Sequence, residues 1–347
     1  MPRATLSIDD LYDAARAGER RALGRLLSVV ERGGQDADQI GELAHADSGV
    51  AHIVGITGSP GAGKSTLVGQ LVRDLVASGR RPAVLAVDPS SPLTGGAILG
   101  DRIRMDDIVE PGAERTTAFI RSMATRGHSG GLALAVPLAV RLFDACGYDP
   151  VIIETVGVGQ VEVDVVGAAD TAVVVVTPGM GDAVQANKAG LLEVADIFVV
   201  NKSDRPGAND VRRDLDLMLD LSHMTGQESD TGYRPPIVMA SALTGVGNQA
   251  VWEAIEAHLV HLDQSDQRCF RRQHRIRTEV RARIAQSMSA AADAMMDASG
   301  AEVLRRAEAA EISPNQATNE LLVQLLRDVQ PLDDPTLTFN HEQENTS

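Results

Sequence analysis

Aromatic side chains are scarce: one Trp, three Tyr and five Phe make up 3% of the 347 residues. The core of such a chain has to be aliphatic, and a base-stacking platform for single-stranded nucleic acid is disfavoured. Positive charge is also short, with 32 Lys and Arg against 48 Asp and Glu and a net charge of −16. That balance argues against nucleic acid as a partner and against adhesion to an anionic membrane. Only two cysteines occur, Cys146 and Cys269, far apart and outside any ligand or redox motif. They are expected to be buried reduced thiols. No apolar run reaches the ~18 residues that mark a membrane span, and no charged-then-apolar leader follows Met1. Cytoplasmic residence is the expectation.

Against these absences stands one dense stretch, GSPGAGKST, from Gly58 to Thr66. It follows the apolar run His52 to Thr57, read as a buried strand, and leads into Leu67, Leu71 and Leu75 at helical spacing. Gly58, Gly63, Lys64 and Ser65 complete the pattern G-x-x-x-x-G-K-[ST]. Glycines at 58, 61 and 63 let the loop curl so that backbone N–H groups face inward, and the helix that follows offers its positive end to a phosphate. Ser59, Ala62 and Thr66 belong to the same cradle. Lys64 is placed for the β and γ phosphates, and the Ser65 hydroxyl for magnesium. The chain is expected to bind a nucleoside triphosphate.

Residues 1–50 read as helices, with a Ser7/Asp10 capping box, a break at Ala17-Gly18 and a stop at Gly33-Gly34. From His52 onward strand and helix patterns alternate. Strands are expected at Pro82 to Val87, Thr116 to Ile120, Val151 to Glu154, Thr171 to Thr177, Ile197 to Asn201 and Pro236 to Ala240. Helices are expected at Leu132 to Phe143, Val211 to Leu221 and Ala250 to His261. Near-continuous apolar strands separated by helices imply an α/β fold with a mostly parallel sheet covered on both faces. The boundaries are set at 1–50 for the N-terminal helical segment, 51–262 for the nucleotide-binding domain, 263–330 for a helical arm and 331–347 for a polar, disordered tail. Within the arm, Arg268 to Arg283 carries seven arginines against one glutamate. It reads either as a solvated helix face or as a surface docking an acidic partner or a second subunit.

Asn201-Lys202-Ser203-Asp204 follows a buried strand and fits N-K-x-D. The Asp204 carboxylate would accept from guanine N1–H and its 2-amine; adenine would leave it unpaired. Asn201 and the Lys202 stem would brace the phosphate loop and the base. Ser241-Ala242-Leu243 resembles the companion loop that donates a backbone N–H to guanine O6. GTP is therefore preferred to ATP. Glu154, three residues before Gly157, is placed to hold a magnesium-bound water, and the Gly157 N–H to sense the γ-phosphate. Asp88 ends a strand where a carboxylate orients water or metal. Asp101, in a glycine-rich stretch, reads either as a metal-site residue on a closing loop or as a solvated aspartate. Arg121, Arg126 and Gln160 are candidates for catalytic help, the arginines having surface charge as their plainer reading. No obvious machinery suggests slow hydrolysis, accelerated by a partner.

The runs AVDPSSPLTGGAILGDRIRM (86–105), FIRSMATRGHSGGLA (119–133), IIETVGVGQVEVD (152–164) and GMGDAVQANKAGLLEVADIFVVNKSD (179–204) resemble the MeaB-type GTPases. That family includes the human methylmalonic aciduria type A protein and proteins labelled arginine/ornithine transport kinases. The resemblance covers residues 5–265. It implies a P-loop GTPase, binding GTP or GDP with Mg2+, that gates cofactor loading and protects or reactivates an adenosylcobalamin-dependent acyl-CoA mutase, methylmalonyl-CoA mutase being the first choice. Carried across, Lys64 and Ser65 serve phosphate and magnesium, Asp88, Asp101 and Glu154 serve magnesium and water, and 179–188 is an extra switch. It also implies a homodimer held by the C-terminal helices. His128-Ser129, where the family commonly has Thr-Leu, and the lack of a tryptophan in the arm depart from the pattern. No cobalamin motif is present, so the isolated protein is not expected to bind cobalamin. Two other readings are weighed: a nickel-inserting metallochaperone GTPase, which needs a Cys/His cluster that the scattered residues do not make, and a transport-linked kinase, which would use ATP.

The base-pocket reading makes a direct prediction. Asp204→Asn should weaken GTP binding by roughly two orders of magnitude and favour xanthosine triphosphate, because an amide pairs with a carbonyl where the carboxylate met an amine. Competition binding of the two nucleotides checks it, and an unchanged preference would refute the pocket.

Overall fold

The computed structural model describes residues 6–88, 117–124, 131–155, 167–179, 195–224 and 233–328. Contacts divide the chain into two compact units, Met1–Val280 and Arg281–Ser347. The helices before residue 50 share a core with the sheet and belong to the first unit, as do residues 263–280 of the arm.

The first unit opens with α1 (Ile8–Arg16), α2 (Arg20–Arg32) and α3 (Gln35–Asp47). Ser7 caps α1 through the reciprocal bonds of a capping box with Asp10. The third helix was not read from the sequence. It restarts directly after Gly33-Gly34, and its buried face, Ala37, Ile40, Gly41 and Ala44, is too small-sided to stand out as an apolar stripe.

Strands β1 (Ile53–Thr57), β2 (Ala83–Asp88), β3 (Phe119–Ala124), β4 (Val151–Thr155), β5 (Thr171–Val176), β6 (Ile197–Val200) and β7 (Ile237–Met239) form one parallel sheet among the described residues, in the order β3-β2-β4-β1-β5-β6-β7. Connecting helices are α4 (Lys64–Ala77), α5 (Gly131–Ala145), α6 (Ala208–Met224) and α7 (Asn248–Gln264). Because β1 is central, the loop after it lies between the carboxyl ends of β4 and β5, where open parallel sheets bind ligands. One face of the sheet packs on α1–α3 and α5, the other on α4 and α7. Strand β3 lies farther along the chain than Thr116 to Ile120. Its polar Arg121 and Ser122 hide it from an apolar pattern, and an edge strand tolerates them. Arg121 is paired with Glu31 of α2 at 2.7 Å.

At the amino-terminal edge of the sheet the chain buries polar groups. Asp170 and Thr171 are fully buried at the start of β5, and Asp196 is 7% exposed before β6. The arginine run meets them there, on α8 (Gln267–Asp297). Arg271 grips Asp196 with two bonds of 2.7 Å, Arg275 reaches Asp170 at 2.8 Å, and Arg268 donates to Val50 O at 2.9 Å. Arg268, Arg271 and Arg275 are thus neither a solvated face nor free for an outside acidic partner, because the groups they meet belong to the same chain, whereas Arg277 and Arg281 of the run are exposed. Removing one member of such a buried pair costs about 3–5 kcal/mol.

The second unit combines the end of α8 with α9 (Ala301–Glu308) and α10 (Pro314–Asp328) around Met295, Val303, Ala317 and Leu321. Of the cysteines, Cys146 is buried, and burial pushes its thiol up to about 11, whereas Cys269 is exposed on α8, contrary to expectation. Polar neighbours on a long amphipathic helix, not an apolar run, surround it. Among the described residues no helix is long and apolar enough to cross a membrane.

His52 gives the first unit a pH signature. Burial pushes its imidazole down from 6.5 to about 4. Between those values the unfolded chain takes up a proton and the folded one does not, so stability is full above pH 6.5 and falls as pH drops towards 4. The loss amounts to roughly 3 kcal/mol. Urea unfolding of His52→Gln across this range should show a correspondingly shallower decline than the parent chain; parallel curves would refute the assignment.

Candidate active site

Strand β1 ends in Thr57, and the chain turns through Gly58–Gly63 into α4, whose first residues are Lys64, Ser65 and Thr66. Two glycines are required by contact as well as by backbone angle. A Cβ on Gly58 (φ +137°) would lie 2.1 Å from Val175 O on β5, and one on Gly63 (φ +88°) would lie 2.5 Å from Asn201 Nδ2. The Lys64 ammonium is folded into the loop, donating to Gly58 O and, at 3.3 Å, to Ser59 O. Ala62 is fully buried, whereas Gly61 and Thr66 are exposed at the rim.

Ser65 Oγ donates to Glu154 Oε1 at 2.5 Å. Glu154 is fully buried near the end of β4, the strand beside β1. A hydroxyl and a carboxylate in contact at a helix N-terminus are hard oxygen donors of the kind that suit Mg2+. Next to them, Thr155 Oγ1 donates to Thr57 Oγ1 at 3.1 Å, tying the ends of β4 and β1. This pair does not stand out in the sequence. Its signal was a threonine ending each of two neighbouring strands.

Asn201 follows β6 and is 1% exposed. Its Nδ2 donates to Ala62 O at 2.8 Å, and its Oδ1 accepts from the Ala242 N–H at 3.0 Å. Lys202, at φ +57°, donates to Gly61 O at 2.7 Å. Ser203 N–H donates to Ala240 O at 3.0 Å. The phosphate loop, the N-K-x-D stretch and the Ser241–Leu243 loop are thereby one bonded assembly. Asp204 is exposed on it, and the Ser241 hydroxyl and its own backbone N–H hold its carboxyl below the usual carboxylate range. Leu243 is 83% exposed.

Asp88 closes β2, two strands from β1; its side chain, and Asp101, Arg126, His128, Ser129, Gly157, Gln160 and residues 180–188, lie outside the described residues. Arg121 is not near the phosphate loop's chemistry as a finger: it is held on α2 by Glu31 and by Ser28 at 3.2 Å.

A family model described as the methylmalonyl-CoA mutase-associated GTPase MeaB matches residues 23–297. The chain is a member of the MeaB family of GTPases. A putative GTPase of Pyrococcus abyssi is 43% identical over 321 residues, covering 92% of this chain and 97% of that one. A fused isobutyryl-CoA mutase of Cupriavidus metallidurans is 39% identical over 207 residues, which are 58% of this chain and 18% of the mutase. Among solved structures, a LAO/AO transport system kinase superposes with a TM-score of 0.65 at 26% identity, covering 93% of this chain and 98% of its own. MeaB-family membership makes the chain a guanine-nucleotide-hydrolysing P-loop protein with helical extensions on its sheet domain.

In this MeaB-family site the Asn201 amide packs directly against Gly63, with no room for a Cβ. Gly63→Ala should strain the backbone and drive the Asn201 amide from its two bonds, weakening GTP binding about tenfold or more. Titration with a fluorescent GTP analogue measures this, and unaltered affinity would contradict the assembly.

Proposed function

We propose that this GTPase acts as a nucleotide-gated chaperone of an adenosylcobalamin-dependent acyl-CoA mutase, methylmalonyl-CoA mutase in the first place. The observation that carries the reading is the fused isobutyryl-CoA mutase, in which a segment homologous to this chain is part of the mutase polypeptide itself. The family description, a GTPase associated with methylmalonyl-CoA mutase, supports the same partner class. A mutase acting on another branched acyl-CoA is the neighbouring alternative within that class.

In this reading the phosphate loop and Lys64 hold the β and γ phosphates, with the ammonium leaving the Gly58 and Ser59 carbonyls for phosphate oxygens. Ser65 and Glu154 hold Mg2+, with Asp88 and Asp101 completing the site. Held there, the ion would supply positive charge to offset that of the phosphates. Glu154 also orients water, and Gly157 senses the γ-phosphate. Asp204, braced by Asn201 and Lys202, selects guanine, and the Ser241–Leu243 loop meets its O6. Hydrolysis by the isolated chain is slow, and the mutase accelerates it. The chain works as a homodimer through its C-terminal helices, in the cytoplasm, and does not bind cobalamin alone.

GTP turnover with and without purified methylmalonyl-CoA mutase, with ATP as control, tests the proposal. Slow turnover that rises severalfold with the mutase is expected. Turnover unchanged by methylmalonyl-CoA and isobutyryl-CoA mutases alike would overturn the chaperone reading, and preference for ATP would overturn the base pocket.

A further inference from the structure

Strands β4, β5 and β6 read VIIET, TAVVVV and IFVV and are buried throughout. In a strand with one wet face, a one-residue slip throws the apolar set into water, and that penalty sets register. Strands apolar on both faces feel almost no such penalty. Something other than burial has to hold β5 and β6 in line, because Asn201 must arrive opposite Ala62 and Ala242.

The polar groups at the other end of these strands meet that need. Asp170 Oδ2 accepts from the Ile53 N–H of β1 at 3.1 Å, and Asp196 Oδ2 accepts from the Ala172 N–H of β5 at 2.8 Å. Each carboxylate thus ties the start of its own strand to the backbone of the neighbour. A buried side-chain series links the same points: His52 Nε2 to Thr171 Oγ1 at 2.8 Å, Thr171 Oγ1 to His258 Nδ1 at 2.8 Å, and His258 Nε2 to Asp196 Oδ1 at 3.3 Å. With a neutral His258 ring, the direction of the series follows from the acceptor at one end. Asp196 takes the N–H of His258 Nε2, so Nδ1 accepts the Thr171 proton, and the Thr171 oxygen accepts from His52 Nε2–H. A slip of one residue in β5 would put Ala172, with no polar side chain, or Asp170, an acceptor that cannot donate to His258 Nδ1, in place of Thr171, and would move Asp170 off the Ile53 N–H. Arg271 closes the remaining lone pairs of Asp196 from α8.

Each element held here carries a nucleotide-site group at its far end. β1 runs to Gly58 and β6 to Asn201, and α7, which bears His258, begins just after Ser241–Leu243. The span along β5 is roughly 20 Å, six residues at strand rise.

We infer that the buried series His52–Thr171–His258–Asp196 is a register clamp that aligns the guanine-recognition loop with the phosphate loop, making Thr171 and His258 positioning residues for nucleotide selectivity. The inference rests on the assignment of the base pocket to Asp204. It predicts that breaking the clamp damages base selection rather than the chemical step.

The experiment compares kcat and KM for GTP and for ITP, whose base lacks the 2-amine, in the full chain. Thr171→Val should raise KM for GTP about tenfold and shrink the GTP-over-ITP preference, with kcat little changed. Thr171→Ser, which keeps the hydroxyl, should restore both. Val174→Ala removes core volume from the same strand without touching the series, and should lower the melting temperature while leaving the preference intact. If Thr171→Val does not fold, His258→Gln is read by the same ratio. A folded clamp variant with the parent preference, or equal loss of preference in Val174→Ala, would overturn the clamp. Asp204→Asn separates the two layers: should it leave the GTP-over-ITP ratio untouched, the pocket assignment fails and the clamp falls with it.

Discussion

The carboxamide of Asn201 is the constraint that the nucleotide site depends on. A buried amide has to spend both its donor and its acceptor within the protein, because leaving either unmade costs about 1–3 kcal/mol. Here the donor goes to Ala62 and the acceptor to Ala242, so three loops far apart in the chain become one rigid rim. The same amide fills the space a side chain at position 63 would need, which is why a glycine stands there. Lys202 adds a second strut to Gly61, and Asp204 is presented on the outer side of the same turn.

A rim of this kind is only as exact as the strands that deliver it. The strands around β1 are apolar on both faces, which makes an efficient core but leaves alignment weakly specified. The chain concentrates its buried polar groups at the two ends of the sheet: Thr57, Glu154, Thr155 and Asn201 at the carboxyl edge, and His52, Asp170, Thr171 and Asp196 at the amino edge. Between them lies almost nothing but Val, Ile, Leu and Ala. Chemistry occupies one edge and alignment the other.

The arginine run on α8 changes meaning in this light. In a chain of net charge −16 it stands out as an attractive surface for something acidic. The acidic groups turned out to be internal: Asp170 and Asp196, which the sequence places at the unremarkable starts of two strands. Arg121 had a similar fate, its guanidinium going to Glu31 on a helix about ninety residues earlier in the chain. Charges whose partners lie far off in sequence cannot be paired by reading along it.

Local physics was legible without coordinates. A glycine-rich turn between a strand and a helix, N-K-x-D after a buried strand, and the capping box at Ser7 all depend on neighbours within a few residues, so their patterns sit intact in the sequence. The alternation of apolar strands and amphipathic helices likewise determined the parallel α/β class. Only the tertiary structure decided the strand order that puts β4 and β5 on either side of β1, the placement of the edge strand β3 around polar Arg121, the small-sided helix α3, and the pairing of α8's arginines with Asp170 and Asp196. Those outcomes turn on contacts between residues tens to hundreds of positions apart, where what a side chain meets depends on the whole fold and not on its neighbours in the chain.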